Sequence, residues 1–412
     1  MRLFTKFLHK NRSERVSEEQ SNLFVVFIFL IGLFVPLSPI LLHFLGLKPN
    51  LLSVLCCLVV FMICNIIYRS IKYSYIYLFI VFISIVSSIF FSFYWGELKL
   101  LFFTLYFIVS IIAVMSLSYK DKRSIVIALS NVIYVVTGAA VVGFCYAFIG
   151  GEPLLEIENP DKRSAFLYLS TMTNFNVGLF IRPSGIFDEP GALSFFICFT
   201  CALRTLFNLP KKQTWFLLIA GLITFSVAHV IYLIFHYLSE KFNPKSLFMS
   251  VVAVSAIFAI PFLNDDIYEV VDSAFFQRFV IEDGNLKGDN RSELFSNAAS
   301  LINTETFLWG IDSACILDVD LCNSKYPMFG ENVLSPLALT GFVVSLPYYL
   351  ALFMLLCYGS LRKENLFLIG VALLLFQRPY LMSYGYSLLI VLLLSVTKSR
   401  YGIRHFSKRQ VI

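Results

Sequence analysis

Charged residues are scarce in this chain, and their scarcity excludes most classes of soluble protein. Asp, Glu, Lys and Arg make up 14% of the 412 residues, against 58% hydrophobic residues and a mean hydropathy of +0.80. A soluble domain of ordinary composition carries about 25% charged residues. This chain cannot cover its surface with polar groups, so lipid must surround most of it. A cytosolic enzyme, a disulfide-rich secreted module and a disordered scaffold are excluded.

Several chemical signatures are missing as well. The sequence has no Walker A, dinucleotide-binding or HExxH pattern. It therefore gives no reason to expect a nucleotide-hydrolysing enzyme or a zinc protease of the HExxH type. The net charge of +6 is a small difference between 32 basic and 26 acidic residues, which gives little reason to expect nucleic acid as a partner. We expect no metal, no cofactor and no nucleic acid.

Long apolar runs are what the sequence has instead. A membrane-spanning helix needs roughly 20 apolar residues, and eight runs qualify: 23–47, 51–68, 74–94, 98–118, 124–149, 190–208, 246–263 and 332–358. Residues 213–239 are too long for one compact span and too short for two. Residues 365–397 are interrupted by Gln377, Arg378 and Pro379. We interpret each of these two regions as a hairpin of two short helices, with tips near Ser226 and Arg378.

The distribution of charge supports this interpretation. If 213–239 were one span, Lys241 and Lys245 would lie outside. With two hairpins, 22 of the 32 Lys and Arg residues lie in the cytoplasm and 20 of the 26 acidic residues lie outside, as the positive-inside rule requires. Both termini are then cytoplasmic.

The sequence therefore predicts an all-α polytopic membrane protein with about 12 membrane segments and two long outward-facing loops. In chain order we expect a basic cytoplasmic N-terminus, five transmembrane helices, a first outer loop, a helix–hairpin–helix unit, a large outer loop, the C-terminal helices and a basic cytoplasmic tail. Their bounds are 1–22, 23–149, 150–189, 190–263, 264–331, 332–397 and 398–412.

The large outer loop contains two local signals. Asn290 is a plausible helix N-cap, with Glu293 at the third helical position, and apolar residues follow at helical spacing; we expect an amphipathic helix over 291–302. Cys315 and Cys322 lie in an oxidising location and could form a disulfide. The alternative is two free thiols.

The densest polar segment runs from Arg182 to Leu193 as RPSGIFDEPGAL, directly before the apolar run at 190–208. An Arg guanidinium suits phosphate or carboxylate. Pro190 is favoured in a first helical turn, which would place Asp188 and Glu189 at a helix N-terminus. A capped helix start with a loop salt bridge explains the segment equally well.

This segment resembles the R-x-s-G-x-F-x-E-P-g motif of bacterial O-antigen and capsule repeat-unit polymerases of the Wzy type. Thr224-Phe225-Ser226 is similar to that family's T-x-S-R hairpin, with Val227 where Arg is common. GDNRSELF at 288–295 and FLWGI at 307–311 resemble motifs of its large outer loop, and Glu331-Asn332 stands where the related ligases carry His-Asn. The similarity covers roughly 180–350.

The resemblance implies a GT-C-like fold and metal-independent glycosyl transfer at the periplasmic face of the bacterial inner membrane. A glycan would leave its polyprenyl diphosphate and join a new lipid-linked repeat unit. The implied partners are the lipid-linked donor and acceptor, the bilayer, and a chain-length regulator and a flippase in the same membrane.

Such a reaction needs fixed cations for the leaving diphosphate and a base for the acceptor hydroxyl. The outer cations are Arg182, Arg278, Arg291 and Arg378, with Asn332 as a further contact. Arg378 interrupts an apolar run, where an ionisable residue indicates function; the alternative is an interfacial Arg at a loop tip. The candidate bases are Glu331 and Glu189, and the sequence does not decide between them.

Two other functions stay open at this point. A ligase would move the finished glycan to another acceptor, although the missing His before Asn332 counts against it. A flippase or transporter for lipid-linked sugars would instead place its charges at the bilayer midplane, between inverted repeats.

Overall fold

The computed structural model describes residues 23–45, 49–67, 75–98, 100–103, 105–158, 164–177, 180–240, 281–282, 285–286, 290–317, 319–379 and 384–409. Helices dominate these residues. Three helical stretches are long and apolar enough to cross a membrane: Leu78–Trp95, Tyr119–Phe148 and Ser335–Ser360. Five shorter apolar helices accompany them. The fold is therefore mainly helical and compatible with a membrane protein, while the predicted span 246–263 lies outside the described residues.

The described N-terminal residues, up to Phe148, form helices α1 to α7. Pro36 and Pro39 lack a backbone N–H, and the first predicted span is accordingly divided by a 3₁₀ turn over Val35–Leu37. The longest helix, α7, begins with a capping box formed by Ser118 and Asp121. The bounds are Leu23–Phe34 (α1), Pro39–Leu45 (α2), Pro49–Met62 (α3), Tyr75–Trp95 (α4), Leu100–Phe103 (α5), Leu105–Ser116 (α6) and Tyr119–Phe148 (α7).

A small β region follows α7, where we expected the first outer loop of an all-α protein. Three strands form an antiparallel sheet in the order β1-β2-β3, and two more form a hairpin. β3 and β5 pack against the C-terminal part of α7. The all-α prediction omitted these strands because each has only two to five residues, too few for a clear alternation. They are Leu155–Glu158 (β1), Ser164–Tyr168 (β2), Thr171–Thr173 (β3), Asn176–Val177 (β4) and Phe180–Ile181 (β5).

Helix α8, Pro190–Leu206, forms the centre of the fold. Fifteen of its 17 residues are buried, and it packs against α7 and against four of the later helices. A helix that is apolar on all sides is stable only when it is surrounded. Its N-terminus, where the motif segment ends, is therefore held in a fixed position.

The region 213–239 is the helical hairpin that the sequence predicts. Helix α9, Lys211–Ala220, continues into a 3₁₀ turn over Gly221–Thr224, and α10, Val227–Glu240, returns. Phe225 has a left-handed backbone (φ +48°) at the tip. The two open ends meet where Glu240 accepts a hydrogen bond from Trp215 (3.1 Å) and pairs with Lys211 (3.4 Å).

Among the described residues after Glu240, a short hairpin is followed by seven helices. The amphipathic helix expected over 291–302 is present, with slightly earlier bounds. The elements are Ile281–Glu282 (β6), Asn285–Leu286 (β7), Asn290–Ser300 (α11), Thr306–Trp309 (α12), Ala314–Leu317 (α13), Val319–Lys325 (α14), Ser335–Ser360 (α15), Leu366–Gln377 (α16) and Tyr384–Arg409 (α17).

The break predicted near Arg378 is present, but its second limb differs from the prediction. α16 ends at Gln377 and Arg378 has an extended backbone, whereas α17 has 26 residues instead of forming a short helix. It continues into the segment predicted as a cytoplasmic tail. Lys and Arg are good helix formers, so the change to charged residues after Thr397 does not end the helix.

Helix α15 carries a kink that joins the loop helices to the bundle. Gly341 has a non-helical backbone (φ +69°), and the interrupted ladder frees the Ala338 carbonyl, which accepts a hydrogen bond from the N–H of Ile311 (3.0 Å). A Cβ at Gly341 would overlap the Leu308 carbonyl. From the other side, the Trp95 indole donates to the Trp309 carbonyl (3.1 Å).

Candidate functional site

The N-terminus of α8 is built to receive Arg378, which directly follows helix α16. Pro190 occupies the first helical position and Glu189 is the N-cap residue, but the Glu189 side chain makes no capping hydrogen bond. Its carboxylate forms an ion pair with Arg378 instead. Gly191 allows this approach, because a Cβ there would lie 2.9 Å from the Arg378 Nη2 atom.

Arg378 lies between two carboxylates of unequal burial. Its Nη1 atom, already paired with Glu189, lies 3.9 Å from Oε2 of Glu331. The Arg378 and Glu189 side chains are 18% and 14% exposed, whereas that of Glu331 is 55% exposed. Glu189 is therefore the structural partner of the guanidinium, and Glu331 is a looser partner that solvent can reach.

Glu331 is positioned by the residue that follows it. The Asn332 side chain donates to the carbonyls of Phe329 (2.8 Å) and Leu294 (3.3 Å) and accepts from the N–H of Leu334 (2.9 Å). These bonds join α11 to the turn before α15. Asn332, predicted to contact substrate, holds the loop that presents Glu331, and Glu331 lies before the first turn of α15.

Arg182 holds the tip of the α9–α10 hairpin. Its Nε and Nη2 atoms donate to the carbonyls of Thr224 and Phe225, both at 3.1 Å, and its guanidinium lies 5.6 Å from the centre of the Phe175 ring. The carbonyls at the end of the 3₁₀ turn need such donors. Arg182, which the sequence predicts to bind the diphosphate, therefore stabilises the hairpin tip beside the site.

A cavity of about 280 Å³ lies between α10, α11, α16 and the turn that carries Glu331. One wall is apolar and includes Ile231, Phe295, Leu373 and Phe376. A second part of the lining, called here the polar end, is formed by Glu331, Asn332 and Gln377. Gln377 directly precedes Arg378, so the polar end of the cavity adjoins the guanidinium. Sequence reasoning named Gln377 only as an interruption of an apolar run and did not single out Phe295 or Phe376, because only the tertiary contacts bring these residues together.

Tyr386, near the start of α17, was also missed. It is 6% exposed and packs edge-on against Phe195 (5.4 Å between ring centres). Its phenol lies within electrostatic range of Asp188, Arg378 and Glu331. His229, by contrast, is fully buried, and its Nε2 atom is hydrogen-bonded to the Leu218 carbonyl (2.8 Å).

The side chains of two of the predicted arginines lie outside the described residues. Arg291 lies in the first turn of α11, four residues before Phe295, and its side chain lies outside the described residues. Arg278 lies outside them altogether. Of the predicted arginines whose side chains are described, Arg378 lies between both predicted carboxylates and Arg182 lies at the hairpin tip.

The loop before Glu331 is cross-linked. Cys315 and Cys322 form a disulfide, and Nζ of Lys325 donates to Asp312 (3.0 Å). This hydrogen bond and the charge of Asp312 raise the pKa of Lys325 above its ordinary value. Within the described residues, no group of three or more His, Cys, Asp or Glu side chains is placed to hold a metal ion.

Comparisons of the whole chain with protein-family models, curated proteins and solved structures find no match.

Proposed function

We propose that this chain is a glycosyltransferase that polymerises lipid-linked oligosaccharide repeat units at the outer face of the bacterial inner membrane. The observation that carries the proposal is Arg378, placed between Glu189 and Glu331 beside a cavity with one apolar wall and one polar end. The order of the motif segments, described above as a resemblance, supports the same function.

The chemistry assigns a separate task to each group. The acceptor hydroxyl attacks the anomeric carbon of the donor sugar, a new glycosidic bond forms, and the bond to the diphosphate breaks. The hydroxyl proton passes to a carboxylate, and the leaving diphosphate takes the electron pair. Arg378 stabilises the leaving group through its planar set of donors.

Of the two carboxylates, Glu331 is the better base. Glu189 is only 14% exposed and pairs with Arg378, so it keeps the guanidinium in place. Glu331 is more exposed and lies 3.9 Å from Arg378, so an arriving diphosphate can replace it at the guanidinium. The displaced carboxylate is then available to take the acceptor proton.

The proposal places the end of the bundle that carries Arg378 in the periplasm. α8 begins at that end and finishes near Arg204, which hydrogen-bonds Gln213 (2.7 Å) at the start of α9. Lys122, at the start of α7, donates to Ser395 (2.7 Å). The opposite end therefore collects basic residues, which favours a cytoplasmic location for it.

A flippase would need a path between the two membrane faces. In the described part of the chain, the central helix α8 is buried along nearly its whole length, and the cavity beside Arg378 lies at one end. Both features favour an enzyme with a site at one face over a transporter.

The test is the state of the lipid-linked glycans in a strain that lacks the gene. Single repeat units that accumulate on the carrier would support polymerisation. A finished polymer left on the carrier would indicate a ligase, and an unchanged glycan profile would refute both. Re-expression of the wild-type chain should restore the polymer.

A further inference from the structure

The cavity beside Arg378 has the volume and lining expected of a site for part of a lipid. Its volume of about 280 Å³ lies just below the roughly 300–1,000 Å³ of pockets that enclose a whole small ligand. A ligand there would place one segment inside the cavity and extend beyond it.

The apolar wall is partly exposed. Ile231 and Leu373 are each 37% exposed and Phe376 is 49% exposed, whereas Leu374 behind them is buried. These residues belong to α10 and α16, two helices of the apolar bundle. In a membrane the exposed side of this wall faces hydrocarbon, so a chain can move in laterally without crossing water.

The polar end fixes the chemistry of the head group. Gln377 supplies an amide, and the next residue, Arg378, supplies a guanidinium whose fork suits phosphate oxygens. A sugar inside the cavity would need polar partners along its length, and the wall of Ile231, Leu373 and Phe376 supplies none. The cavity therefore fits a hydrocarbon chain that ends in an anionic phosphate group.

We propose that this cavity holds the first isoprene units of the carrier lipid, with the diphosphate at Arg378 and the chain leaving between α10 and α16. This assignment rests on the proposed function, which supplies the polyprenyl diphosphate. Phe295 of the loop helix α11 covers the cavity from the side of the outer loop, so the loop contacts the carrier directly.

The experiment uses the full chain in lipid nanodiscs and a labelled polyprenyl diphosphate that carries no sugar. A benzophenone amino acid replaces Phe376 in one variant and Phe148 in the other. Phe148 is a matched control, because it is 56% exposed on α7 and lies at the same end of the bundle. We expect labelling at position 376 to be saturable and at least about tenfold stronger than at position 148. Equal labelling at both positions would overturn the proposal.

Excess phosphatidylglycerol distinguishes the carrier from an ordinary phospholipid. Labelling at position 376 should persist in its presence, and complete competition would overturn the assignment. A second pair of variants tests the cavity without a photoprobe. Leu373→Trp fills it and should weaken carrier binding about tenfold or more, whereas Leu350→Trp, 40% exposed on α15, should not. Equal binding by both variants would also overturn the assignment.

These outcomes separate the subsite from the reaction. If position 376 captures the carrier but the deletion strain makes normal polymer, the lipid site stands and the polymerase function fails. If the deletion strain accumulates single repeat units while positions 376 and 148 label equally, the function stands and the subsite fails.

Discussion

Arg378 is the residue on which the proposed chemistry depends most. Its pairing with Glu189 holds it at the N-terminus of α8. Lysine cannot fully replace it, because an ammonium group lacks the planar set of donors of the guanidinium. We expect Arg378→Ala to lower polymer formation by a factor on the order of 10²–10³, with Arg378→Lys between Ala and wild type. The measurement is polymer per unit of membrane-inserted protein. Arg362→Lys, at an exposed ion pair with Glu364 (3.6 Å), should behave as wild type, and an equal loss there would contradict the assignment.

The two carboxylates should respond differently to the same substitution. Glu331→Gln removes the proposed base and should reduce the rate by about 10²–10⁴ while the protein stays abundant. Glu189→Gln leaves the half-buried Arg378 without its partner. Breaking a fully buried ion pair costs about 3–5 kcal/mol, so we expect a smaller loss of abundance and thermal stability here. Glu331→Gln with near-normal polymer would move the base to Glu189.

Gly191 tests whether the position of Arg378 matters independently of its charge. In Gly191→Ala the new methyl group lies 2.9 Å from Nη2, and the flexible side chain of Arg378 yields without loss of the fold. A displacement of this kind should lower polymer formation by about 10- to 100-fold. Gly138→Ala is the control, because nothing lies within 4 Å of a Cβ there. Unchanged activity in Gly191→Ala would show that the guanidinium position is not critical.

At the scale of elements, the disulfide and the kink of α15 hold the outer loop on the bundle. The Cys315–Cys322 bridge closes only a short loop. Its removal by serine substitution should therefore lower the free energy of unfolding by about 2–3 kcal/mol. Polymer formation should change little. Thermal unfolding of the purified protein, with and without reductant, measures the effect. Cys357→Ser, at a free exposed thiol, should leave the unfolding temperature unchanged, and an equal shift there would argue against a specific role for the bridge.

Element breaks were predictable from the sequence because they have local causes. Proline fixed the start of α8 at Pro190, and charge placement required the turn near Ser226. The partners of the site residues were not predictable in the same way. Glu189 is a helix N-cap by sequence, and only the packing of α16 against α8 turns its carboxylate toward Arg378.

The contacts of Arg182 were also not predictable from the sequence. A guanidinium in a polar loop suits an anion, and nothing in the sequence reveals that two backbone carbonyls at the hairpin tip lie 3.1 Å from it. The tip needs donors once the 3₁₀ turn has ended. Substitutions at Arg182 therefore affect the fold of the hairpin as well as any substrate contact.

For the whole molecule, orientation in the membrane decides whether the site can act at the periplasmic face. The hairpin of α9 and α10 starts and finishes at the same end, since Glu240 meets both Trp215 and Lys211. The chain after Glu240 therefore continues from the basic end, opposite to Arg378. One further crossing, by the predicted span 246–263, would carry the chain to the side of Arg378 before β6 and β7.

This arrangement predicts opposite accessibility for two asparagines. In a background without other reactive cysteines, Asn243→Cys should react with an impermeant maleimide only after the membrane is permeabilised. Asn285→Cys should react in intact spheroplasts, because it lies in β7 beyond that crossing. Each variant serves as the control for the other. Labelling of position 285 only after permeabilisation would place Arg378 and Glu331 in the cytoplasm, where the proposed transfer between periplasmic lipid-linked glycans cannot occur.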